Sequence, residues 1–233
     1  MLIWTQDTVR FQKDAAEYGR YPQALASHIA AFLPPNATVC DAGCGLGYLS
    51  RALAPFCRHI TAIDSSTLAL SVLRGKTPSN VTVCEGDLFT LPDTQHYDAM
   101  IFCFFGDMEE TLLLAKKHCR GKVIVVKRGW SHHRFSLGHE PLQRYTSDET
   151  ELFLRTRGIP FMREDLTLDL GQPLRSKEDA VRFFELYSHG GEQSVISFEN
   201  IESKLERTES SVFPYYYPQE KPLGIFSFNA ADI

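Results

Sequence analysis

The segment Val39-Cys40-Asp41-Ala42-Gly43-Cys44-Gly45-Leu46-Gly47-Tyr48-Leu49-Ser50 constrains this chain more than any other. It reads as a buried strand ending in an acid, a loop with glycine at every second position, and the start of a helix. Glycines at 43, 45 and 47 remove the Cβ atoms that would keep the backbone from turning sharply and lying against a ligand. The helix that follows offers unpaired N–H groups in its first turn, a polar cradle for a nucleotide-like ligand. The Gly-x-Gly-x-Gly spacing differs from the Gly-x-Gly-x-x-Gly of dinucleotide-binding turns, which counts against a nicotinamide cofactor.

Around this loop, strand and helix signals alternate. Strands are expected over 38–41, 59–64, 81–85, 97–104 and 122–126. Helices are expected over 22–33, 47–53, 67–74 and 108–119, the last ended by Gly121. Apolar runs such as Met100-Ile101-Phe102 and Val123-Ile124-Val125-Val126 suit strands buried on both faces, as in a parallel sheet covered by helices. The predicted class is therefore α/β, open and doubly wound. Beyond Trp130 the texture is more polar. It predicts helices from Ser147, from Ser176 through Tyr187 and over 198–207, with strands over 161–170 and 223–228.

The chain has 233 residues, 43% hydrophobic and 23% charged, which suits one soluble globular domain. A net charge of −5 gives no electrostatic reason to expect a nucleic-acid or anionic-membrane partner. No apolar run approaches the ~20 residues needed to span a bilayer, and Asp7, Asp14 and Glu17 interrupt the start as no secretory signal would. A cytoplasmic protein, monomer or homodimer, is expected. The six cysteines (40, 44, 57, 84, 103 and 119) form no Cys-x-x-Cys pair, so reduced thiols are expected and no metal site.

On these motifs the chain resembles the class I S-adenosylmethionine (SAM)-dependent methyltransferases. The resemblance implies a Rossmann-like, seven-stranded, mostly parallel sheet with an antiparallel last strand and helices on both faces. It implies a single domain over 1–233, with 1–33 as an N-terminal helical lid and about 171–220 as a helical insertion before the last strand. It also implies SAM as cofactor. The loop Asp41-x-Gly43-Cys44-Gly45-x-Gly47 would pass beneath its methionine and ribose portions, with Asp41 anchoring the loop. Asp64, with Ser65 beside it, would take the ribose hydroxyls. Asp87 and the Leu88 amide would read the adenine, and Cys103 and Phe104 would face the methionine and methyl group, with Tyr18 and Tyr21 above. The family's DNA-amino and related N-methyltransferases carry Asn/Asp-Pro-Pro-aromatic where this chain has Cys103-Phe104-Phe105, which weakens the case for a base or amide nitrogen as acceptor.

A general base is needed only for a protonated acceptor. His132, His133 and His139 after strand five, together with Asp107, are the candidates, and none stands out as catalytic. Tyr215-Tyr216-Tyr217 between prolines reads as a pocket wall or as packing. The leading expectation is transfer of a methyl group from SAM to a small-molecule acceptor. Two alternatives stay open: a methyltransferase of protein or RNA, and a non-catalytic SAM-binding regulatory module.

Overall fold

The structure, a computed structural model, describes residues 3–129, 145–188 and 196–233. Two helices, α1 (Gln6–Gly19) and α2 (Tyr21–Ala30), precede the alternation β1 (Thr38–Ala42), α3 (Tyr48–Leu53), β2 (His59–Asp64), α4 (Thr67–Arg74) and β3 (Val81–Glu85). It continues with β4 (Tyr97–Cys103), α5 (Met108–His118), β5 (Cys119–Arg128), α6 (Ser147–Thr156) and β6 (Met162–Asp169). Then come β7 (Gln172–Leu174), α7 (Lys177–Tyr187), α8 (Phe198–Ile201), β8 (Glu206–Arg207), β9 (Tyr215–Tyr217) and β10 (Glu220–Asn229).

Seven strands form one sheet in the order β3-β2-β1-β4-β5-β10-β6. The pairs β1–β2, β2–β3, β1–β4 and β4–β5 are parallel, and β10 runs antiparallel to both of its neighbours. The strand order reverses between β1 and β4, so the carboxyl ends of these two strands open the crevice where open α/β sheets bind ligands. Alternate residues of the central strands feed two cores. Cys40, Met100, Phe102 and Val125 pack on one face with α5, and Val39, Ile101, Ile124 and Val126 pack on the other with α2.

Two expectations shift. Gly121 does not end α5; the helix stops at His118, and Gly121 lies inside β5, where a Cβ would stand 2.3 Å from the Asp98 carbonyl oxygen. The helix expected over 198–207 stops at Ile201, passes through one 3-10 turn and becomes β8, because pairing with Tyr215 and Tyr216 outweighs local propensity. The stretch 171–220 thus holds α7 and α8 together with a three-stranded sheet ordered β7-β9-β8.

Helix α1 joins this insertion to the glycine loop. Val9 and Ala16 pack with Leu46, Tyr48 and Ala69, and Phe11 is fully buried with Phe183, Phe184 and Tyr217 of the insertion. Arg175 grips the buried Asp14 carboxylate at 2.7 and 3.0 Å, and Arg10–Asp179 (2.7 Å) and Arg182–Asp7 (2.8 Å) add to the contact. At the far end Gly19 sits 3.8 Å (from an ideal Cβ) from the Asp169 carbonyl, where β6 ends. The helix therefore lies across the carboxyl edge of the main sheet.

Gly121→Ala is expected to lower unfolding stability by about 1–3 kcal/mol, the usual cost of forcing atoms against a backbone that cannot yield. Chemical denaturation measures it, and an unchanged midpoint would show that β5 has room to move.

Candidate cofactor and active site

The loop after β1 hangs from the end of β2. The Gly43 and Cys44 amides both donate to the Ile63 carbonyl at 2.9 Å, and the Gly45 amide donates to Asp64 Oδ2 at 2.9 Å. Gly43, Gly45 and Gly47 take φ of 69°, 54° and 70°, the left-handed region that glycine occupies without strain. Their missing Cβ atoms also matter for packing. A Cβ would come within 2.4 Å of the Phe105 ring at 43, 2.9 Å of the Trp4 indole at 45 and 2.4 Å of Leu73 at 47.

Asp64 sits where a ribose carboxylate is expected. One oxygen takes the Gly45 amide and the other the Ser66 amide at 2.9 Å, which leaves each oxygen a further lone pair. Ser65 beside it is exposed. Asp87 caps the turn Leu88–Thr90 through the Phe89 amide at 3.0 Å, and Leu88 is buried beneath it. Asp41 is buried and accepts from the Ser50 hydroxyl at 2.5 Å. Burial pushes its carboxyl up to about 6; the Ser50 bond opposes this and the Asp64 charge adds to it. These residues fit an adenosine-bearing ligand: a glycine cradle at one end, two outward acids along it, and a backbone amide at the other end.

At the end of β4, Phe104 adopts a left-handed φ of 55° and exposes its ring, with the Arg128 guanidinium 5.5 Å from the ring centre. Burial, reinforced by the Asp41 charge, holds the Cys44 and Cys103 thiols far above their usual range. Tyr21, at the start of α2, is raised as well, first by burial and then by Cys103, and it packs against the cluster of Val9, Leu46 and Tyr48. Tyr18 packs its ring on Tyr216 (5.3 Å) and Phe213 (5.7 Å) beside the small sheet. In the tyrosine triplet, Tyr215 and Tyr217 pack inside the insertion, while Tyr216 points outward and donates to Asp169 at 2.6 Å.

Asp107 is the N-cap of α5, accepting from the Glu110 amide at 2.8 Å. His132, His133 and His139 lie outside the described residues. Among the described residues no group of His, Cys, Asp and Glu side chains is arranged to hold a metal, and no helix is long and apolar enough to cross a membrane. Sequence reasoning missed two residues at this site. Trp4 carries no motif and meets Gly45 only through the fold, whereas Lys127 is visible as the first of two charges, Lys127-Arg128, closing the apolar run of β5.

A family model described as a methyltransferase domain matches residues 39–120, the stretch from the glycine loop through α5. Over those residues the chain is similar to methyltransferase domains. The fold is shared at low identity with several solved structures. The YcgJ protein of Bacillus subtilis is 13% identical, with 90% of this chain and 98% of that one covered and a TM-score of 0.55. Precorrin 8w decarboxylase of Methanobacterium thermoautotrophicum is 19% identical, covering 88% and 89%, at a TM-score of 0.50. Magnesium protoporphyrin IX methyltransferase of Synechocystis, solved with bound S-adenosylhomocysteine (SAH), is 15% identical, covering 91% and 85%, also at 0.50. No curated protein matches this chain by sequence.

The buried acid of the domain yields a signed prediction. The folded protein binds the Asp41 proton more tightly than the unfolded chain does (about 6 against 3.8), so stability falls as pH rises through that window. Above pH 6 the ionised side chain costs the ligand-free fold about 3 kcal/mol. Asp41→Asn, which keeps an acceptor for Ser50, is expected to melt higher than the parent at pH 7.5 and level with it near pH 4. Thermal melts at both pH values test this; equal melting at pH 7.5 contradicts it.

Proposed function

We propose that this protein is a methyltransferase that transfers the methyl group of SAM to a small organic acceptor seated between the carboxyl ends of β4 and β5 and helix α1. The observation that carries this reading is the position of α1. The helix runs from the glycine loop to the insertion and covers the carboxyl edge of the sheet, which suits an acceptor small enough to sit beneath it. The net charge of −5 adds no attraction for nucleic acid.

SAM supplies the reactive methyl carbon, which is displaced in line from a sulfonium. The chain's own residues hold and orient. Gly43 through Gly47 cradle the methionine and ribose portions, and Asp64 accepts from the ribose hydroxyls with the lone pairs its backbone partners leave. Asp87 and the Leu88 amide face the adenine, and Asp41 anchors the loop through Ser50. Cys103 and Phe104 close the methyl end, with Tyr21 above. The exposed Phe104 ring offers a cation–π face to a sulfonium and an apolar wall to an acceptor.

Two measurements test this. Asp64→Ala is expected to weaken SAH binding ten- to a hundredfold, about 1.5–3 kcal/mol, by calorimetry; unchanged affinity removes the ribose assignment. Incubation with methyl-labelled SAM and separate pools of metabolites, RNA and protein should place the label in the low-mass fraction. Label in RNA or protein overturns the small acceptor, and label in no pool favours a non-catalytic module.

A further inference from the structure

Strand β5 is an apolar run, Val123 to Val126, followed by a lysine whose side chain turns inward. Lys127 is 2% exposed, and its Nζ donates to the Phe105 and Gly106 carbonyls at 2.7 Å each. Both carbonyls belong to the short turn between β4 and α5, outside the ladders of either element. Phe104 (φ 55°) and Gly106 (φ 44°) bracket that turn in the left-handed region. The Phe104 amide is held by the Val126 carbonyl at 3.0 Å, and Asp107 then caps α5. Inside the turn, the Phe105 ring lies where a Cβ on Gly43 would be, and it packs 5.9 Å from the Phe102 ring.

We propose that Lys127 is a positioning residue for methyl transfer: by gripping the Phe105 and Gly106 carbonyls it sets Phe104 at the methyl end of the cofactor and Phe105 against Gly43 of the cofactor loop. The inference rests on reading this crevice as the SAM site. A neutral side chain of the same length would fill the strand without the cost of burying an ammonium. What methionine lacks is donors for two carbonyls at once. The groups facing Nζ are Asp107 and Glu110 from α5, Cys103 from β4, Arg128 from its own strand and the Tyr145 ring at 5.9 Å. Burial lowers the ammonium to about 8, with Asp107 the foremost opposing charge. The grip therefore loosens as pH rises through that value, since a neutral amine makes weaker hydrogen bonds than a charged one.

Calorimetry on the full chain tests this with two probes. SAH binding to Lys127→Met is expected to be about tenfold weaker than to the parent at pH 7, with the melting temperature within a few degrees. For pH dependence the probe is 5′-methylthioadenosine, which keeps the nucleoside and thioether but carries no titrating amine. Its affinity for the parent should fall between pH 7 and pH 9.5, and the variant should lose that response. Equal SAH affinity in parent and variant, or the same pH response in both, overturns the inference. If the variant does not fold, the parent's pH response decides alone, and a flat profile overturns it. A parent that binds no SAH at all refutes the reading of the crevice itself, a result distinct from the others.

Discussion

The site depends on how the end of β2 holds the loop after β1. Three consecutive amides of that loop, Gly43, Cys44 and Gly45, are tied to the Ile63 carbonyl and the Asp64 carboxylate. One strand thus acts as the template for its neighbour's loop, and the loop needs glycines because the bonds are met only with left-handed backbone at 43, 45 and 47. The same bonds orient Asp64. With one lone pair on each oxygen drawn to backbone amides, the carboxylate cannot rotate freely, and its remaining acceptor directions are fixed before any ligand arrives.

Helix α1 makes the cofactor loop and the insertion share a wall. Its ion pairs to the insertion differ in worth. Arg182–Asp7 lies at the surface and is worth little. Asp14 is buried and gripped by two nitrogens of Arg175, so removing Arg175 would leave that charge with only the Arg10 guanidinium, 4.0 Å away. Phe11, fully buried among Phe183, Phe184 and Tyr217, supplies the apolar part of the docking. A helix fixed in this way to both bodies cannot move away from the crevice alone. Opening for cofactor or acceptor has to displace it together with the insertion, or bend the chain at Arg20, whose left-handed φ of 51° marks the corner between α1 and α2.

The main sheet was legible in the sequence because its central strands β1, β2, β4 and β5 are largely buried and carry apolar runs, and because the Asp-x-Gly-x-Gly-x-Gly loop marks the first turn. The small sheet was not. Gln172–Leu174 and Glu206–Arg207 are too short to carry a period, and they become strands only by pairing with Tyr215–Tyr217. The roles of acids were legible in part. Asp87 and Asp107 each cap a helical turn, and a cap and a ligand contact call for the same residue at the same kind of position, so spacing alone does not separate them. Trp4 over Gly45 had no signal at all, since the contact exists only once α1 has folded back over the loop.

On the proposed reading of the crevice as the SAM site, its electrostatics bear on how a methyl donor can sit beside two cysteines. A thiolate is the nucleophile among cysteine forms, and a sulfonium methyl group next to one would be consumed by it. Here burial and the Asp41 charge both disfavour the thiolate at Cys44 and Cys103, so each stays a poorly reactive thiol. The acids that suppress the thiolates, Asp41 and Asp64, also favour a cationic ligand. The basic groups that act on Cys103 are turned to other partners: Lys127 to backbone carbonyls and Arg128 to the Phe104 ring. The charge pattern that favours binding of a sulfonium thus also protects it from the protein's own sulfur.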